Sequence, residues 1–155
     1  MDKMNNPSNN SIENFSPDIL QAIQRALAED IGPGDATTDS IVPADATMEG
    51  QIIAKQSGIV AGLDIAAAVY QMLDNRVCFQ AQVAEGDRVT NRQGLATVAG
   101  PARALLTGER TALNFLGRMS GIATLTRRFV DAVDGTNAVI LDTRKTAPGL
   151  RTFVK

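Results

Sequence analysis

Histidine is missing from this chain altogether, and cysteine occurs once among its 155 residues. The first absence removes Ser-His and Cys-His nucleophilic machinery and leaves no imidazole for a metal site. The second excludes an internal disulfide, which suits a reducing compartment. Cys78 stands in the strand-like run Val77-Cys78-Phe79-Gln80, which reads as a buried structural thiol rather than a nucleophile. No stretch approaches the roughly 20 apolar residues of a membrane-spanning helix. Residues 1–15, rich in Asn and Ser, lack the apolar centre of a signal peptide and read as a disordered leader. The compartment expected is the cytoplasm. Neither sign of charge dominates: 15 Lys and Arg stand against 17 Asp and Glu, a formal charge of -2. Nothing in that balance calls for nucleic acid or anionic lipid.

A hydrophobic content of 44% is enough for one modest core and hardly for two full domains. Order is expected from Ser16-Pro17, an N-cap followed by the residue best suited to the first helical position. Leu20, Ile23 and Leu27 then recur at helical spacing, with Ile19 and Ala26 widening the face. Glu29 to Asp35 reads as the stiff turn that ends this helix. Its clustered carboxylates suit capping better than a cation site, because their spacing is not that of an EF-hand loop.

Strands are expected at Met48–Lys55, Gly58–Gly62, Val77–Val83 and Gly94–Ala99, with a helix over Leu63–Leu73 and a turn at Glu85–Val89. From Ala102 the period becomes helical. One helix is expected to about Met119, a break at Ser120-Gly121, and a second helix over Ile122–Val133. Ala138–Leu141 reads as a fully apolar strand. Helices followed by one buried strand look like the opening of a parallel α/β unit, and a complete (β/α) barrel needs about 250 residues. The second domain therefore looks unfinished.

Three clusters could carry chemistry. Thr143-Arg144-Lys145-Thr146 directly follows the apolar run, where α/β folds place ligand-binding loops. Arg can grip a carboxylate or phosphate with two parallel bonds, and Lys adds a mobile charge. The other reading is a solvated basic turn. Arg110, inside an apolar helix, needs a reason, since an unpaired buried cation is costly. Either Glu109 or water satisfies it, or it lies at an interface and reaches toward an anion. Gln82–Gly100 resembles the hammerhead turns of biotinyl and lipoyl carrier domains. No lysine occurs between Lys55 and Lys145, so that stretch has no attachment point.

Taken in order, several runs resemble the quinolinate phosphoribosyltransferase family (nicotinate-nucleotide pyrophosphorylase, carboxylating). They are Glu29 to Thr38, Ala54 to Gly62, Glu85-Gly86-Asp87, Leu105 to Leu116 with its Glu-Arg-Thr-Ala-Leu-Asn-Phe-Leu core, Ser120 to Thr124, and Asp142 to Arg151. The resemblance runs from about Ile19 to the end.

It implies an α+β fold: an N-terminal α/β sandwich with a mainly antiparallel sheet, over residues 16–117. The first helices and first strand of an incomplete α/β barrel would follow over 118–155. It implies a glycosyltransferase of NAD biosynthesis that joins quinolinate to phosphoribosyl pyrophosphate, giving nicotinate mononucleotide, pyrophosphate and CO₂ with Mg²⁺. By resemblance Thr143, Arg144 and Lys145 bind substrate, Arg110 reaches the pocket of a partner subunit in a homodimer, and the Mg²⁺ ligands lie beyond this stretch. The family's later Asn-His-Arg and Lys-Asp-Asn-His motifs are not in this chain. The expectation is thus a fragment that is inactive alone. Alternatives are a non-catalytic dimerisation module and a related nicotinate-type phosphoribosyltransferase.

Overall fold

A computed structural model describes residues 12, 15–32, 34 and 36–154. The expected leader over 1–15 lies almost wholly outside these residues, as do Pro33 and Asp35 of the glycine turn.

Helix α1 spans Pro17–Ile31, with Ser16 at its N-cap and Pro17 at its first position. Ser16 makes no side-chain cap bond there; its carbonyl instead accepts the amides of Ile19 and Leu20. Ile23 and Leu27 are buried, the stripe that the helical spacing implies. A short helix α2, Ala36–Ile41, follows where no element was expected. Then come β1 (Thr47–Ile53), β2 (Gly58–Ile59), α3 (Leu63–Leu73), β3 (Cys78–Ala81), β4 (Arg88–Val89), β5 (Gly94–Pro101) and α4 (Ala102–Ala132), with a 3-10 turn at Arg151–Phe153.

The sheets are antiparallel, as the sandwich reading required. β5 sits between β1 and β3, and β2 pairs with β4 in a smaller sheet. Part of the expected Glu85–Val89 turn is therefore strand β4. Helices α3 and α4 pack together on the sheet, and the alanine-rich middle of α3 (Ala66, Ala67, Ala68) lets α4 approach closely.

Two glycines allow α4 to lie against β2 and the start of α3. A Cβ on Gly58 would stand 2.6 Å from Thr124 Oγ1, and one on Gly62, whose φ is 97°, would stand 2.7 Å from Met119 Sδ. In that close approach the Ser120 hydroxyl accepts the amide of Ala61 (3.0 Å) and donates to its carbonyl (3.2 Å). The Thr124 hydroxyl does the same for Ile59 (2.8 and 3.4 Å). Residues four apart on a helix are about 6 Å apart along the axis, which matches two residues of a strand. The helix thus supplies the pairing that the edge of β2 would otherwise lack.

This explains the first correction. α4 runs unbroken through Ser120-Gly121, because Ser120 turns inward to a strand and Gly121 faces solvent, where it costs only about 1 kcal/mol of propensity. The expected domain boundary at 117/118 falls inside this helix.

Cys78 is the second correction. Its thiol is exposed, because Val77 and Phe79 (5% and 8% exposed) take the inward positions and alternation turns residue 78 out. The third concerns Ala138–Leu141, which form no strand and leave Val139 and Leu141 more than three-quarters exposed. A parallel strand exists only by pairing with neighbours, and no described strand lies beside this run.

At the α3–α4 contact, Tyr70 is 3% exposed and packs beneath Gly108. Burial, aided by the charge of Glu109, pushes its phenol from 10.0 up to about 12. Its folded-state value exceeds its unfolded one, so its contribution to stability is complete below pH 10 and fades as pH rises toward 12. As the single tyrosine in a chain without tryptophan, it can be followed alone by its phenolate absorbance. A folded-state midpoint near 10 would contradict this burial.

Candidate functional site

The loop after α4 is tied down at its far end. Phe153 is buried and stacks on Phe115 of α4, with ring centroids 5.2 Å apart. The Arg151 guanidinium donates to the carbonyl of Arg144 (3.2 Å) and to the Thr146 hydroxyl (3.4 Å), closing the loop on itself. The Lys145 amide donates to Thr143 Oγ1 at 3.1 Å, a local turn of the kind hydroxyl residues favour. Gly149, at φ 75°, makes the reversal at Pro148-Gly149. Thr143, Arg144 and Lys145 are consequently presented to solvent on a backbone tied down on its C-terminal side.

Arg110 is not buried. The inward positions of this part of α4 are Leu105, Gly108, Thr111, Ala112 and Leu116, which leaves residue 110 on the outer face. Its side chain is 74% exposed and pairs with Asp30 at the end of α1 (2.9 Å). The cation in an apolar helix is thus satisfied by another helix and by water, not by Glu109.

Two clefts flank α1. One is formed by Asp18, Gln21 and Arg25 of α1 with Thr146, Arg151 and Thr152 of the loop. The other lies between α1 and α4, with Arg25, Asp30, Thr111, Asn114 and Arg118 on its walls and Pro148–Leu150 at one end. Neither is lined by Thr143, Arg144, Lys145 or Arg110. Neither of these two clefts, then, brings the loop cations and Arg110 together.

The sequence reading missed Asp30 as the partner of Arg110, having taken it for a capping residue. It also missed Arg25, Thr111, Asn114 and Arg118. One signal was available: Arg110, Asn114 and Arg118 recur every four residues and so share a helix face. Among the described residues no three His, Cys, Asp or Glu converge, and Asp30 is taken by Arg110.

Two family models match the chain. Residues 35–120 match the model for quinolinate phosphoribosyl transferase, N-terminal domain, and residues 122–155 match the model for the C-terminal domain. A probable nicotinate-nucleotide pyrophosphorylase [carboxylating] of Synechocystis is 44% identical over 86% of this chain and 45% of its own length. The nicotinate-nucleotide pyrophosphorylase [carboxylating] of Mycobacterium leprae is 46% identical over 86% of this chain and 48% of its own. The crystal structure of NadC from Streptococcus pyogenes superposes with a TM-score of 0.86 at 37% identity, covering 90% of this chain and 50% of that one. The chain therefore spans about half the length of the relatives it matches.

Proposed function

Because the chain belongs to the quinolinate phosphoribosyl transferase family, we propose that it serves phosphoribosyl transfer to quinolinate in NAD biosynthesis. The pyridine nitrogen attacks the ribose carbon of phosphoribosyl pyrophosphate, pyrophosphate departs, and the carboxylate beside that nitrogen leaves as CO₂. The product is nicotinate mononucleotide. Both substrates are polyanions, so cations must converge where they meet.

The observation that carries the reading is the anchored loop. Thr143, Arg144 and Lys145 stand exposed on a backbone fixed by Arg151 and the Phe115–Phe153 stack. Such preorganisation lowers the cost of gripping a small anion. Arg144 would take a quinolinate carboxylate in a two-pronged bond, and Lys145 the carboxylate or phosphate side. The Mg²⁺ that accompanies the reaction would be held by groups other than the described residues.

Arg110 would complete the pocket of a second subunit in an isologous dimer. Its exposed position, away from the loop cations of its own chain, suits that role. So does the apolar band of Leu106 and Leu113, seven residues apart on α4 and each at least 39% exposed. The same band favours a second reading, a dimerisation module without turnover, over a carrier domain. Among the described residues no helix is long and apolar enough to cross a membrane, and the cytoplasm is the compartment we propose.

By itself the 155-residue chain is expected to bind quinolinate weakly and to show no turnover. In calorimetric titration Arg144→Ala should weaken that binding about tenfold, the loss of one charge-assisted contact. Millimolar or tighter binding that ignores the substitution would remove Arg144 from the site.

A further inference from the structure

A cleft separates α1 from α4. Its volume is about 480 Å³. Thr111, on its α4 wall, is 3% exposed, yet its hydroxyl has no hydrogen-bond partner. A threonine within a helix can return its hydroxyl to the carbonyl one turn back; Thr111 does not. An unpaired buried hydroxyl costs stability, so its retention needs a reason.

The surroundings supply one. Asn114 and Arg118 follow Thr111 along the cleft wall, and among the described residues Arg118 makes neither an ion pair nor a hydrogen bond. Arg25, on the opposite wall, gives Nη2 to Gln21 and keeps its other donors. Glu29 and Asp30 also line the cleft, but Asp30 is already neutralised by Arg110. With Asp30 set aside in that pair, the guanidinium groups of Arg25 and Arg118 share the cleft with one carboxylate, Glu29, and the balance is positive. The polar groups of α4 on this wall are a hydroxyl, an amide and a guanidinium, each a hydrogen-bond donor.

We propose that this cleft binds the oxyanion of a small molecule, a phosphate or a carboxylate. Arg118 grips two of its oxygens, and the Thr111 hydroxyl and Asn114 amide donate to the remainder. The site is separate from the Thr143–Lys145 loop and stands whether or not that loop binds quinolinate.

The test is amide NMR of the chain titrated with inorganic phosphate and, separately, with acetate, each against chloride at matched ionic strength. Saturable shifts at Thr111, Asn114 and Arg118 are expected with at least one of them, and the stronger names the ligand class. Arg118→Gln, at an exposed position that should leave the fold intact, is expected to weaken binding at least tenfold. Thr111→Val keeps the shape and removes the orphan hydroxyl. It should weaken binding severalfold while raising the thermal midpoint, opposite signs that a merely structural threonine would not produce. Arg144→Ala should leave these shifts unchanged. The proposal falls if neither anion binds beyond chloride, if either α4 variant binds like the parent, if Thr111→Val lowers the midpoint, or if Arg144→Ala abolishes the effect.

Discussion

Replacing Ser120 with Ala and Thr124 with Val in one molecule is expected to lower the unfolding free energy by about 3 kcal/mol. Each hydroxyl pairs both the amide and the carbonyl of one residue in or just after β2: Ala61 for Ser120 and Ile59 for Thr124. Without them two partly buried amides stand against an apolar helix face. A buried polar group left unpaired costs roughly 1–3 kcal/mol, more than the bond itself contributes. The two sites share one helix face, so the losses should not be fully additive. Urea melts would measure the change, and amide exchange should quicken selectively at residues 59 and 61. A double variant within 0.5 kcal/mol of the parent (roughly the scatter of an ordinary surface change) would show that water replaces these bonds freely.

The position of these bonds gives them wider meaning. The two family matches meet at residues 120 and 122, inside α4. Ser120 and Thr124 straddle that join. Arg88 of β4 adds a third tie further along, to Asp131 at 2.6 Å, and with Arg127 it holds that carboxyl below its usual range. The exposed Arg88–Asp131 pair adds little stability by itself. It does show that the C-terminal half of α4 is positioned by the smaller sheet.

Glu85→Ala should cost about 2 kcal/mol through a different mechanism. The Glu85 carboxylate accepts the amides of Gly62 (2.9 Å), Leu63 (2.6 Å) and Asp64 (3.3 Å), the free donors at the start of α3. Gly62 at the N-cap has no side chain to do this, so a residue from the β3–β4 loop caps the helix instead. Helix capping is worth about 0.5–2 kcal/mol, and a negative charge at a helix N-terminus adds some tenths. Glu85→Gln, which keeps an acceptor oxygen and loses the charge, should fall between parent and Ala in thermal or urea melts. Equal stability of all three would mean that the cap is made by water. The run Glu85-Gly86-Asp87 reads in sequence as a turn, and nothing local marks it as a cap, because its helix begins 22 residues earlier.

Particular residues show how far the sequence carries. The apolar spacing of Ile23 and Leu27 located α1 and its inward face, since periodicity is a local property. The inward set Val77 and Phe79 was equally legible, yet Cys78 was assigned to the core on residue type when alternation already pointed it outward. At Ser120-Gly121 propensity argued for a break, and packing against β2 overrode it. Arg110 stood out as a cation within an apolar helix, and the structure exposes it and pairs it with Asp30. Its partner Asp30 lies 80 residues away and carried no local sign of the pairing.

The resemblance to the family implied the α+β class and the antiparallel sheet; by itself the sequence determined the helix faces and the loop that carries Thr143, Arg144 and Lys145. Those faces and that loop follow from short-range periodicity or from adjacent residue types. Only the tertiary structure decided that α4 is continuous, that Glu85 caps α3, that residues 138–141 stand unpaired, and that Thr111 and Arg118 share a cleft with α1. Those outcomes depend on which distant groups meet. Hydrogen-bond satisfaction and close packing are settled there, between residues that no local pattern connects.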